Sequence, residues 1–214
     1  MTPGTRRARW RVAAVLVVVC CLSGCRVITP QPAVPDPSGL GSGVSDFDAL
    51  NEQGVARILE TGEARFDLST GTIPTSAVGL GPDQTPPGIT AEPGEMIRLE
   101  VVGPTGTLHA DTDHLRFFAG NDTDIDQITY FLTATDDEAL FGMLRDGVDD
   151  YGIDGDSVQR WIEASSFVGA EGSDYAFPAG TRLGLEVIYD VRYKPSAGMH
   201  VIIVQVLGQT DPAE

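Results

Sequence analysis

Between residues 63 and 68 the side chains alternate, with Ala64, Phe66 and Leu68 on one side and Glu63, Arg65 and Asp67 on the other, the period of a half-buried strand. The same period returns at Ile97, Leu99 and Val101 against Arg98 and Glu100, and it predicts further short strands over 115–118 and 128–133. From residue 140 the spacing lengthens: Leu140, Met143, Leu144, Val148 and Tyr151 make one apolar stripe, which predicts a helix with Thr135 and Glu138 as its capping box. A second, short helix is predicted after Asp156, whose partner three residues on is Gln159, burying Val158, Trp161 and Ile162. Leu183, Leu185, Val187, Tyr189, Val191 and Tyr193 then alternate without a break, while residues 199–207 are apolar on both faces, as a central strand covered by helices would be. The five residues from Lys194 to Gly198 between these two strands suit a hairpin.

Glycine and proline punctuate the rest. Residues 70–94 hold Gly71, Pro74, Gly79, Gly81, Pro82, Pro86, Pro87, Gly88, Pro93 and Gly94, a density that predicts a long surface loop without strand or helix. Strands, then two helices, then a strand hairpin define an α+β domain over 54–209, a mostly antiparallel sheet with two helices packed on one face. Residues 210–214 form a polar tail. Upstream, Pro30, Pro32, Pro35 and Pro37 followed by Gly39, Gly41 and Gly43 mark residues 25–53 as a tether. Ser45 or Asp46 could cap a helical turn or two before Glu60, with Gly54 interrupting the pattern.

The N-terminus carries an address. Arg6, Arg7, Arg9 and Arg11 precede an apolar run over 12–22, too short for the roughly 20 residues of a membrane-spanning helix and laid out as a signal peptide. The run ends in Leu22-Ser23-Gly24-Cys25, which resembles the lipobox of bacterial lipoproteins. The resemblance implies that residues 1–24 are removed, that the Cys25 thiol receives a diacylglyceryl group, and that the mature chain is held at the extracytoplasmic face of the cell membrane. Cys20 and Cys21 leave with the signal peptide, so the mature chain has no second cysteine for a disulfide.

Charge narrows the partners. The chain has 31 acids against 14 bases, a net −17. Residues 1–24 hold four arginines and no acid, so the mature chain is more acidic still and repels phosphate backbones, which disfavours nucleic acid. Lys194 is the only lysine among many arginines, a composition that suggests a GC-rich bacterial genome, with an actinobacterium as the expected source.

Two strings invite metal chemistry. His109-Ala110-Asp111-Thr112-Asp113-His114 is similar to the H-x-H-x-D-H motif of the metallo-β-lactamase superfamily, with Asp111 where the second His should stand; the resemblance implies zinc ligands that activate a water. An extended segment, however, would set His109, Asp111 and Asp113 on one face and His114 on the other. In the second string Asp122, Asp124 and Asp126 alternate like the start of a calcium loop, but Gln127 and Thr133 occupy the places of its Gly and Glu. Asp136, Asp137 and Glu138 read as helix caps, and no serine has a nucleophile-elbow context.

The expected function is therefore a lipid-anchored, non-catalytic binding or accessory module without a required cofactor, whose partner is another envelope protein, a lipid or a glycan. The alternatives are a metal-dependent hydrolase built on His109, Asp111, Asp113 and His114, or a surface module stabilised by Ca²⁺ at the acidic loops.

Overall fold

The computed structural model describes residues 47–121, 123–168 and 171–209. The first helix, α1 (Glu52–Thr61), begins where the Asn51 side chain accepts from the Gly54 N–H at 2.9 Å and ends at Gly62, whose φ of 66° lets its N–H close on the Ile58 carbonyl. Strands β1 (Glu63–Asp67), β2 (Ile73–Pro74), β3 (Ile89–Thr90), β4 (Ile97–Val102) and β5 (Thr107–Thr112) follow. Then come β6 (His114–Asn121), β7 (Asp124–Thr133), α2 (Asp137–Tyr151), α3 (Gly155–Val168), β8 (Ser173–Ala176), β9 (Leu185–Lys194) and β10 (Met199–Gly208).

The strands form two sheets. The smaller has the order β1-β4-β5, with β1 and β4 parallel. The larger has the order β3-β6-β7-β10-β9-β8 and is antiparallel throughout, with β2 added beside β7. This is the α+β, mostly antiparallel architecture that the periodicities define.

One face of the large sheet carries the core. Leu115, Phe117, Ile128, Tyr130, Ile202, Val204, Val206, Val187, Tyr189 and Val191 all point to it and are buried. The small sheet closes one end of this inner face, where the rings of Phe66 and Phe117 meet edge to face at 4.9 Å. Helices α2 and α3 close the other, with Trp161 against Tyr193 and Phe177 at 5.5 and 6.1 Å. Gly147 of α2 lies so close to the Tyr189 ring that a Cβ would meet its Cε2 at 2.5 Å.

Four details depart from the sequence reading. Residues 70–94 are not a bare surface loop: they contribute β2, a short 3-10 turn (Thr75–Val78) and β3, and they bury Ile73, Val78, Leu80 and Ile89, because isolated apolar residues among breakers can plug a core without forming long elements. Order also starts before residue 54. Leu50 is 1% exposed, its N–H reaches the Val78 carbonyl at 2.7 Å, and the Asp48 N–H reaches that of Arg65, so these residues belong to the domain and not to a tether.

The helix caps differ by one or two residues. Asp136, not Thr135, caps α2 by accepting from the Ala139 N–H, and Asp154 caps α3 by accepting from the Ser157 N–H. Finally, β10 is central but no helix among the described residues covers its second face, since α2 and α3 both sit on the inner face.

Candidate binding face

The histidine string is divided by the fold. His109 and Asp111 lie exposed on β5 in the small sheet, Asp113 forms a bend, and His114 opens β6 in the large sheet. The buried Thr112 fixes that bend: its hydroxyl donates toward the carbonyls of His114 and Phe131 and accepts from the His114 N–H. His109 ends 3.6 Å from the Glu100 carboxylate, and Asp111 stands opposite Arg98 in the β4–β5 register. Among the described residues no three His, Cys, Asp or Glu side chains gather as a metal would require.

His114 is engaged at both ring nitrogens. Arg116 donates its Nε–H to Nε2 at 3.0 Å, so the proton sits on Nδ1 and is donated to the Thr90 hydroxyl at 2.7 Å. Burial first, then the Arg116 guanidinium, push the His114 pKa below its ordinary value, against the opposing pull of Asp113. A neutral imidazole pinned by a guanidinium at Nε2 is a poor place for a cation.

The acidic loop closes on itself. Asn121 Oδ1 accepts from the backbone N–H of Thr123 and Asp124 and from the Thr123 hydroxyl, while Thr123 also donates to the Asp124 carboxylate at 2.7 Å. Asp126 is the extra residue of a bulge in β7, facing Gly120 of β6. Asp122 and the lipobox cysteine, Cys25, lie outside the described residues.

An aspartate–histidine pair exists elsewhere. His200 of β10 donates Nε2–H to Asp137 of α2 at 2.8 Å and packs against Tyr193, whose own pKa is raised by burial and by the same carboxylate. The Nδ1 of His200 is buried without a partner, on the inner face and enclosed. The pair ties the N-terminus of α2 to the sheet.

Among the described residues, the region that no helix packs against is the outer face of the large sheet. Cross-strand register places four rows there. The first is Thr133, Val201, Arg192 and Asp174; the second is His114, Phe131, Ile203, Asp190 and Ala176. Arg116, Thr129, Gln205 and Ile188 form the third row, and Phe118, Gln127, Leu207 and Glu186 the fourth.

Phe118 is 47% exposed, and Phe131, Ile188, Val201, Ile203 and Leu207 are only partly covered. A shallow groove of about 430 Å³ runs between Arg116, Phe118, Phe131, Ile203 and Asp190. The polar side chains between them are held in place: Arg116 lies 5.5 Å from the centre of the Phe131 ring, and Gln127 donates to Thr129 at 2.9 Å.

Of the residues singled out as metal ligands, His114 lies in this face and Asp113 and Asp126 stand at its border, while His109 and Asp111 belong to the small sheet. The other residues of the outer face were concealed by their pattern: an apolar outer row on β10 reads as core. The discriminating signal was in the neighbouring strand, where Glu186, Asp190 and Arg192 occupy the same face and could not lie under a helix. The chain matches no family model, no curated protein and no solved structure.

Proposed function

We propose that this chain is a bacterial lipoprotein, anchored through Cys25 at the extracytoplasmic face of the cell membrane, and that it acts as a non-catalytic binding or accessory module through the outer face of its large sheet. One observation carries the binding role: central strands β7 and β10 present Phe131, Val201, Ile203 and Leu207 to a face that no element of the described fold covers. Such contiguous apolar surface is retained in soluble domains mainly where something docks. The lipobox supports the anchor, and the surplus of acids supports a partner other than nucleic acid.

The anchor is tested by feeding labelled fatty acid to cells producing the full-length chain or its Cys25→Ala variant. Label is expected in the first and absent from the second, and equal labelling of both defeats the anchor. The binding role is tested together with the identity of the partner, below.

A further inference from the structure

Charge on the outer face is largely settled within the face. Arg192 donates to Asp190 at 2.7 Å and lies 3.7 Å from Asp174, while Arg116 is occupied by His114 and the Phe131 ring. Of the acids in the four rows, only Glu186 has no ion pair among the described residues. The centre of the face is apolar around Phe131, Ile203 and Ile188, with the Arg116 guanidinium beside it held by an imidazole and a ring and not by an acid among the described residues. Its border is acidic: Asp113 beside His114, Asp126 in the β7 bulge, Asp174 on β8 and Glu186 on β9, on a chain of net −17.

Three kinds of occupant can be weighed against that pattern. A glycan would find hydrogen-bonding partners in the Gln127, Gln205 and Asp190 side chains of the groove, but hydroxyl groups laid over Val201, Ile203, Ile188 and Leu207 would be desolvated with none in return. A second copy of this chain would bring an equally acidic border against this one, with no surplus of cations to offset the repulsion.

A protein with an apolar centre and a basic rim meets both parts of the pattern.

Building on the reading of this face as a binding surface, we propose that its partner is another protein whose contact patch is apolar at the centre and ringed by lysine or arginine. The face supplies an apolar seat, and the acidic border supplies orientation and speed of encounter, which salt weakens.

The test uses the full-length chain in cells of the source organism, with a photo-crosslinking phenylalanine derivative at Phe118 and, as the control, at Leu59 of α1, which is 46% exposed outside this face. The expected result is a covalent adduct with one other protein from position 118 and not from 59, with lysines or arginines flanking the crosslinked peptide. That protein, once identified and purified, should bind the wild-type chain at least tenfold more tightly than Ile203→Asp, and the Asp126→Lys, Glu186→Lys double variant should also bind less tightly. Binding to the wild type should fall as salt rises. Phe118→Asp repeats the titration if Ile203→Asp lowers the melting temperature by more than a few degrees.

An adduct between two copies of the chain, or with a lipid or a saccharide, overturns the proposed partner and leaves the binding face standing. Binding that ignores both salt and the charge-reversing variant also overturns the basic rim. No adduct from position 118, or equal adducts from 118 and 59, overturns the binding face itself.

Discussion

The two faces of the large sheet are built from the same strands and have opposite fates. On β7, Tyr130 points inward and is fully buried, and its neighbour Phe131 points outward, partly covered by Arg116 and His114. On β10, Ile202 and Val204 lie under α2 and the inner tyrosines, whereas Val201 and Ile203 lie under nothing in the described fold. The inner face is committed: burial pushes the Tyr130, Tyr151 and Tyr189 hydroxyls above their ordinary pKa, so each stays neutral as the core demands. Equal hydrophobicity in the sequence therefore serves the core on one side and stays at the surface of the described fold on the other.

Replacing adjacent residues should expose this asymmetry most sharply. Tyr130→Ala leaves a large cavity beneath the helices and is expected to cost about 3–5 kcal/mol. Phe131→Ala, one residue away, is expected to cost less than about 1 kcal/mol. Chemical denaturation of the two variants checks this, and equal losses would mean that the outer face is part of the core after all.

The next largest effect concerns where the closed side begins. A chain starting at residue 54 lacks Leu50 and the Asn51 cap, which together should lower stability by about 3 kcal/mol. A chain starting at residue 47 keeps both and should melt with the full-length protein.

That boundary shows what the sequence could convey. The long strands and α2 were legible because each repeats one period over several residues, as Leu185 to Tyr193 does. Leu50 was not, because a single buried residue between polar neighbours has no period, and its burial depends on a hydrogen bond to Val78, 28 positions away. β5 was obscured for a related reason: its outward positions are His109 and Asp111, whose chemistry drew attention from the alternation of Leu108, Ala110 and Thr112. The outer face was misread as covered because periodicity tells which residues share a face and not what lies across from it. Histidines in sequence proximity likewise announced a site that the bend at Asp113 divides between two sheets.

Two glycines of α2 refine the comparison further. Glycine in a helix interior costs about 1 kcal/mol relative to alanine, so each needs a reason. At Gly147 the reason is the Tyr189 ring, and Gly147→Ala should destabilise by about 1 kcal/mol net, since overpacking outweighs the gain in helix propensity. At Gly142 a Cβ would meet nothing within 4 Å, and Gly142→Ala should stabilise by up to about 1 kcal/mol. Opposite signs in thermal melts would locate the committed side of α2, and two gains would remove the claimed contact with Tyr189.

The smallest effect belongs to the border of the outer face and is read through pH. The groups around the His114 ring are Thr90, Arg116, Phe131 and the nearby Asp113; burial first and then the Arg116 guanidinium, outweighing Asp113, hold its pKa below that of the unfolded chain. The unfolded state therefore takes up a proton first as pH falls, and stability declines between the unfolded value, about 6.5, and the lower folded one. Above that window the contribution is fully present, and below it the loss is complete. His114→Gln has no proton to take up, so it should remove this part of the pH dependence. The melting temperature of the wild type should exceed that of the variant by an amount that is constant above about pH 7.5 and shrinks by a degree or two on acidification through the window. A difference that grows on acidification would mean that Asp113 dominates and that His114 is held charged, which would also release Arg116 from the imidazole and change the charge on the rim of the outer face.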